Sequence, residues 1–217
     1  MQPTRKKSRP ASNEHITPRL RGKLRYIIFH KPFGVLSQFT ADQPGQRTLA
    51  EFGFPEGVYP VGRLDLDSEG LLLLTNDGSL VDAVLKPGTG HRRKYAVHVE
   101  GEVTEEALLA LRLGVDIGVD ISGYRTLPAQ ARRLPVADFP PRVPPIRSRK
   151  SIPDSWIELE LVEGKNRQVR RMTAAVGFPT LRLLRTAIGP IRIEGLLPGH
   201  WRDLSEQEVL TLRAHRA

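Results

Sequence analysis

Asp65, Asp67 and Glu69 stand at alternate positions in Gly-Arg-Leu-Asp-Leu-Asp-Ser-Glu-Gly (62–70), and four consecutive leucines follow at 71–74. A carboxylate is costly beside a buried segment, so an acidic loop anchored this way is a candidate site. Several chemistries use carboxylates so placed. Asp65-x-Asp67-x-Glu69-Gly70 copies the opening of a calcium loop, but Asn76 stands where that loop needs its bidentate Glu. A metal-dependent RNase would share Mg²⁺ between paired carboxylates and the RNA phosphate. No further acids or histidines at clear spacing complete such a set, and His15, His30, His91, His98, His200 and His215 show no metal-ligand spacing. Two carboxylates can also break a glycosidic bond. Asp67 and Glu69 fit an ordinary capped or solvated turn better than a site. Asp65 differs, because Arg63 and the leucines fix its surroundings.

A second candidate is Glu-Gly-Lys-Asn-Arg-Gln-Val-Arg-Arg-Met-Thr-Ala-Ala-Val-Gly (163–177). The spacing predicts a helix capped by Asn166 and ended by Gly177. Val169, Met172, Thr173 and Val176 would share its buried face, with Arg167, Arg170 and Arg171 opposite. No acid lies four residues after any of these arginines to neutralise it. Guanidinium forks and a free helix N-terminus both suit phosphate.

Strands and helices must hold these segments. Leu24–His30 reads as a strand stopped at Lys31-Pro32. Leu71–Leu74 reads as a buried strand closed by the turn Asn76-Asp77-Gly78, and Tyr95–Glu100 and Trp156–Val162 as further strands. Thr104 caps a helix that ends at Gly114. Ser205 and Glu208 form a capping box for a C-terminal helix. Residues 135–153 contain six prolines and read as a long irregular loop. With no regular strand–helix–strand repeat, the pattern fits one α+β domain from about Leu24.

Charge points to the partner. Residues 1–25 carry eight Lys/Arg against one acid, within a chain of net charge +9. Such a basic tail, expected to be disordered over residues 1–23, suits a polyanion, most simply nucleic acid. It has no apolar face for a membrane surface. No apolar run is long enough for a membrane span, and no secretory signal is evident. The absence of cysteine excludes disulfides and thiolate zinc sites and suits a reducing cytoplasm.

Four ordered motifs then carry a resemblance. Gly62-Arg63-Leu64-Asp65-x-Asp67-Ser68-Glu69-Gly70-Leu71-Leu72 resembles the signature of the pseudouridine synthases of ribosomal RNA, in the subfamily typified by the small-subunit enzyme. His30-Lys31-Pro32-x-Gly34-Val35, Lys94-Tyr95 and Glu163–Met172 are similar to its other motifs, in the same order. Most members begin with a small separate RNA-binding domain, which is expected to be absent here. With the Pro/Arg-rich loop, that departure resembles the branch acting on large-subunit rRNA.

The resemblance implies the family's catalytic fold, a mixed, mainly antiparallel sheet flanked by helices around a central cleft. It implies isomerisation of uridine to pseudouridine within large-subunit ribosomal RNA, without cofactor or metal. A monomer is expected, since an RNA-modifying domain of this size needs no partner to complete its site. Asp65 would be the catalytic carboxylate, acting on C1′ or on a sugar proton. Arg170 would pair with it, and Tyr95 would stack on the uracil. Arg63, Lys31, Lys165, Asn166, Arg167 and Arg171 would contact RNA. The competing readings are a non-catalytic rRNA-binding protein and a metal-dependent RNase.

Overall fold

The computed structural model describes residues 23–85, 91–118, 123–135, 138–146 and 151–214. The expected tail, Lys23 excepted, lies outside them, as do Arg147, Arg149 and Lys150 of the Pro/Arg-rich loop.

The elements follow in the order β1 (Tyr26–Lys31), β2 (Tyr59–Pro60), β3 (Glu69–Thr75), α1 (Gly78–Leu85), β4 (Arg93–Glu100) and α2 (Glu105–Leu113). Then come β5 (Asp116–Ile117), β6 (Tyr124–Arg125), β7 (Gln130–Arg133), β8 (Asp154–Leu161), α3 (Gln168–Ala175), β9 (Thr180–Ile188), β10 (Ile191–Arg192), β11 (Trp201–Asp203) and α4 (Glu206–Ala214). Among the described residues, one sheet runs β11-β1-β3-β9-β4-β8-β7, with β10 added to β9 and β2 to β3, while β5 and β6 form a separate hairpin. Every pairing in the large sheet is antiparallel except β3 with β9. The architecture is α+β, mixed and mainly antiparallel.

The run of leucines has a simple cause. β3 is buried on both sides, which removes the polar alternation of a half-exposed strand. Leu71 and Leu73 pack with Leu80 and Val84 of α1 and Val209 and Leu212 of α4. Leu72 and Leu74 pack with Phe29, Val35, Leu49 and Leu64. A third cluster joins Val97 and Leu159 to Leu108 of α2 and Met172 of α3. β3 and β9 meet closely at Gly70, where φ is +104° and a Cβ would stand 2.3 Å from the Arg185 carbonyl oxygen. Only glycine accepts that backbone and that approach.

Two elements differ from the sequence expectation. Asn76-Asp77-Gly78 is no mere turn. The Asp77 carboxylate accepts from the Ser79 N–H at 3.0 Å and its backbone carbonyl from Leu80 N–H at 3.1 Å, which opens α1. The basic helix is shorter than expected. Arg167, not Asn166, precedes its first residue, in the left-handed region at φ 50°. Asn166 turns its side-chain oxygen to Arg171 instead (3.3 Å), and the Lys165 N–H bonds to Gln168 Oε1 at 2.8 Å. Ser205 and Glu208 do form the expected capping box.

Candidate active site

The loop before β3 and the segment before α3 form the two walls of a cleft of about 1220 Å³. Tyr95 of β4 and Leu183 and Arg185 of β9 also line it. Of the residues singled out in the sequence, Asp65, Tyr95, Arg63, Lys165, Asn166 and Arg167 meet in its lining. Lys31, Arg170 and Arg171 do not.

The three carboxylates diverge. Arg167 forks onto Asp67 at 2.9 and 2.8 Å. Arg170 Nε lies 3.3 Å from the same carboxylate, and its Nη2 donates to the Asp67 carbonyl at 2.6 Å. Burial alone would push the Asp67 carboxyl up, but the two guanidiniums outweigh it and hold the acid below its ordinary range. Glu69 is buried and forks with buried Arg182 at 2.8 Å on both arms. Neither acid is a solvated turn residue, as the sequence allowed. Asp65 is held more loosely: its side chain is 34% exposed, and among the described residues its ion pair is the long one to Arg167 Nη1, at 3.8 Å. Arg170 therefore braces the loop through Asp67 and feels the Asp65 charge at longer range.

Lys31 also departs from its expected role. It is 0% exposed and has no surface to offer a phosphate. Its Nζ donates to the Pro32 carbonyl at 2.9 Å and the Val35 carbonyl at 2.7 Å. Burial pulls its pKa from 10.5 down to about 7, against the opposing charges of Glu69, Asp67 and Asp65. The folded-state pKa thus lies below the unfolded one. Between those values the unfolded chain holds the extra proton, so this group's contribution to stability grows with pH and is lost as pH falls towards 7. Urea midpoints of the wild type and Lys31→Met should therefore separate in the wild type's favour from about pH 7 to about pH 9.5. A pH-independent difference would refute a depressed pKa at Lys31.

The opposite wall carries residues that the sequence reading missed. Glu163 accepts from the Tyr124 hydroxyl, the Leu127 N–H at 2.8 Å and Gln168 Nε2 at 2.6 Å. This network staples the β5–β6 hairpin to the start of α3. Lys165 Nζ sits 4.7 Å above the Tyr124 ring. Arg142, in the described part of the Pro/Arg-rich loop, stacks on Phe33 at 4.3 Å, beside the first motif. Arg185 had one available signal, a second cation beside Arg182 in the mainly apolar run of β9.

An acid left free at a cleft wall, a tyrosine on the floor and cations at the rim suit chemistry on a nucleotide. The comparisons agree. The family profile described as RNA pseudouridylate synthase matches residues 25–175. A protein of Xanthomonas axonopodis pv. citri called Ribosomal large subunit pseudouridine synthase E is 54% identical over 174 residues, covering 79% of this chain and 90% of that one. Its namesake in Vibrio vulnificus is 47% identical over 179 residues, covering 82% and 74%. The structure described as a crystal structure of pseudouridylate synthase superposes with a TM-score of 0.71 at 26% identity, over 88% of this chain and 74% of that one. The chain belongs to the RNA pseudouridylate synthase family, the isomerases that turn uridine into pseudouridine within RNA.

Proposed function

We propose that this enzyme isomerises a specific uridine of large-subunit ribosomal RNA, with Asp65 as its catalytic carboxylate. The carrying observation is the division of labour in the acidic loop. Asp67 and Glu69 are locked to arginines by two-armed hydrogen bonds, while Asp65 lines the cleft with, among the described residues, the longer 3.8 Å contact to Arg167. The three carboxylates do not converge on one point, which disfavours the RNase reading. The names of the relatives support the large-subunit substrate.

The target base leaves its stack to enter the cleft. Asp65 attacks C1′, or removes a sugar proton to give a glycal. In either case the C1′–N1 bond breaks with its electron pair going to uracil. The ring turns and C5 bonds to C1′ as the Asp65–C1′ ester bond breaks or, from the glycal, as Asp65 returns the proton to the sugar; the C5 proton is then lost and N1 takes one up. Tyr95 stacks on the ring and helps move the C5 proton. Arg63, Lys165, Asn166, Arg167 and Arg171 hold the RNA backbone. Residues 24–217 are the catalytic unit, a cytoplasmic monomer, and residues 1–23 add RNA contacts. Among the described residues, no helix is long and apolar enough to cross a membrane.

The direct test incubates the protein with unmodified ribosomal RNA transcripts and ribosomal particles, then maps pseudouridine by carbodiimide treatment and primer-extension stops. A new stop in large-subunit RNA is expected. No stop in any RNA or particle would overturn the proposal. Turnover on a short unstructured target should survive EDTA, whereas a metal-dependent mechanism would lose it. Deleting residues 1–23 should weaken RNA affinity and flatten its salt dependence, because each lost phosphate contact removes about 0.7 to 0.9 from the log–log slope. An unchanged slope would remove the tail from the interface.

A further inference from the structure

Arg185 is the deeply buried charge of the cleft. Among the described lining residues it is the charged side chain that the protein encloses, at 4% exposed. Its Nε donates to the Leu71 carbonyl at 2.8 Å. Its Nη2 is buried and meets no acceptor. Among the described residues no carboxylate pairs with it; its guanidinium interacts with the Tyr95 hydroxyl, and Arg93 and Lys31 are further cations nearby. Arg93 lines the same cleft.

Burying a guanidinium without a counter-charge costs several kcal/mol, so folds pair such groups or give them a task. The contrast inside this strand is direct. Arg182, three residues earlier, is equally buried and is neutralised by Glu69. Arg185 stands beside Tyr95 in register, on the antiparallel neighbour of β4. Gly70 lets β9 approach the acidic loop at this residue. The fold therefore places an unneutralised donor on the floor of the cleft, next to the expected uracil platform.

The chemistry proposed above has one moment that needs such a group. When C1′–N1 breaks, the bonding pair goes to uracil, and the negative charge spreads over N1, O2 and O4. The charge arises whether Asp65 attacks C1′ or takes a sugar proton. It disappears again when C5 bonds to C1′, the C5 proton leaves and N1 is protonated. Fixed donors aimed at transient charge in a water-poor site are the strongest single source of rate acceleration.

We propose that Arg185 is a further catalytic residue, whose free Nη2 donates to a carbonyl oxygen of the flipped uracil and stabilises the ring as the departing anion. This rests on the proposed function and deepens it. Arg93 adds to the positive potential without touching the ring.

The test compares single-turnover cleavage of the glycosidic bond by the wild type, Arg185→Met and Arg185→Lys. Large-subunit RNA fragments carry uridine or 5-fluorouridine at the target. Fluorine withdraws electrons, makes the ring a better leaving anion and reduces the help it needs. Arg185→Met should slow the uridine reaction by roughly 10²–10³-fold. The same variant should lose at least about tenfold less on 5-fluorouridine, and RNA affinity should hardly change. Arg185→Lys, which keeps a cation but loses the fork, should fall between, with the same dependence on the leaving group. Equal losses on both RNAs would mark Arg185 as structural and overturn the proposal. Should Arg185→Met fail to fold, as melting curves would report, the ratio for Arg185→Lys decides. A wild type inactive on both RNAs would instead strike the underlying function, and this proposal with it.

Discussion

Asp65→Asn is expected to lower turnover by at least about 10⁴-fold while leaving RNA affinity within about threefold. The amide is isosteric but can neither attack C1′ nor accept a sugar proton. The selectivity of the effect follows from the geometry. Among the described residues the cation that pairs with Asp65 is Arg167, at 3.8 Å, and that guanidinium is already satisfied by a two-armed fork with Asp67. Removing the charge at 65 therefore strands no partner, and the wall of the cleft stays in place. Asp67→Asn supplies the opposite case. It weakens the attachments of Arg167 and Arg170 to the loop, so activity and RNA affinity should fall together. Carbodiimide mapping and filter binding on both variants check the pair. Substantial turnover in Asp65→Asn would reassign the site, and an Asp67→Asn variant indistinguishable from wild type would remove the bracing role from the arginines.

What was legible in the chain was local. The capping residues Thr104 and Ser205, the apolar run at 71–74 and the buried stripe of Val169, Met172 and Thr173 depend on neighbours within a few positions, and each corresponds to an observed element or burial. The acidic loop stood out because its composition conflicts with the leucines beside it. What was not legible depends on distant partners. Glu69 finds Arg182 across 113 residues, and Asp67 finds Arg167 across 100. A carboxylate with an unseen partner looks like a solvated one. Lys31 misled for a related reason. A lysine beside a Pro-containing turn reads as surface, yet that same turn folds the Pro32 and Val35 carbonyls over its ammonium. The helix α1 was hidden because Asp-Gly signals a turn and an N-cap alike. Arg182 and Arg185 were the overlooked clue. Two cations in a nine-residue strand of mainly apolar residues require either a buried partner or a function: Arg182 has Glu69 as its partner, and Arg185 is the one proposed to have a function.

The Arg182–Glu69 pair should behave as a unit. Removing one member by Arg182→Met leaves a buried carboxylate without its fork, and a loss of about 3–5 kcal/mol is expected. Glu69→Leu should cost a similar amount by stranding the guanidinium. The double replacement removes both charges together, and similar isosteric swaps are often neutral or better. The double variant should therefore lie within about 1 kcal/mol of wild type, giving a coupling of several kcal/mol where independent sites add to within a few tenths. Urea unfolding of the four proteins measures it, and additive losses would show that the pair does not interact. The functional consequence is separate from stability. Glu69 is the last acid of the loop that carries Asp65, and it pairs in register with Leu184, next to Arg185. The ion pair thus ties the acidic wall to the strand that holds the floor of the cleft. A double variant that is stable yet slow would show that the charges fix the spacing between Asp65 and Arg185. A double variant both stable and active would show that apolar packing at the same two positions holds that spacing equally well.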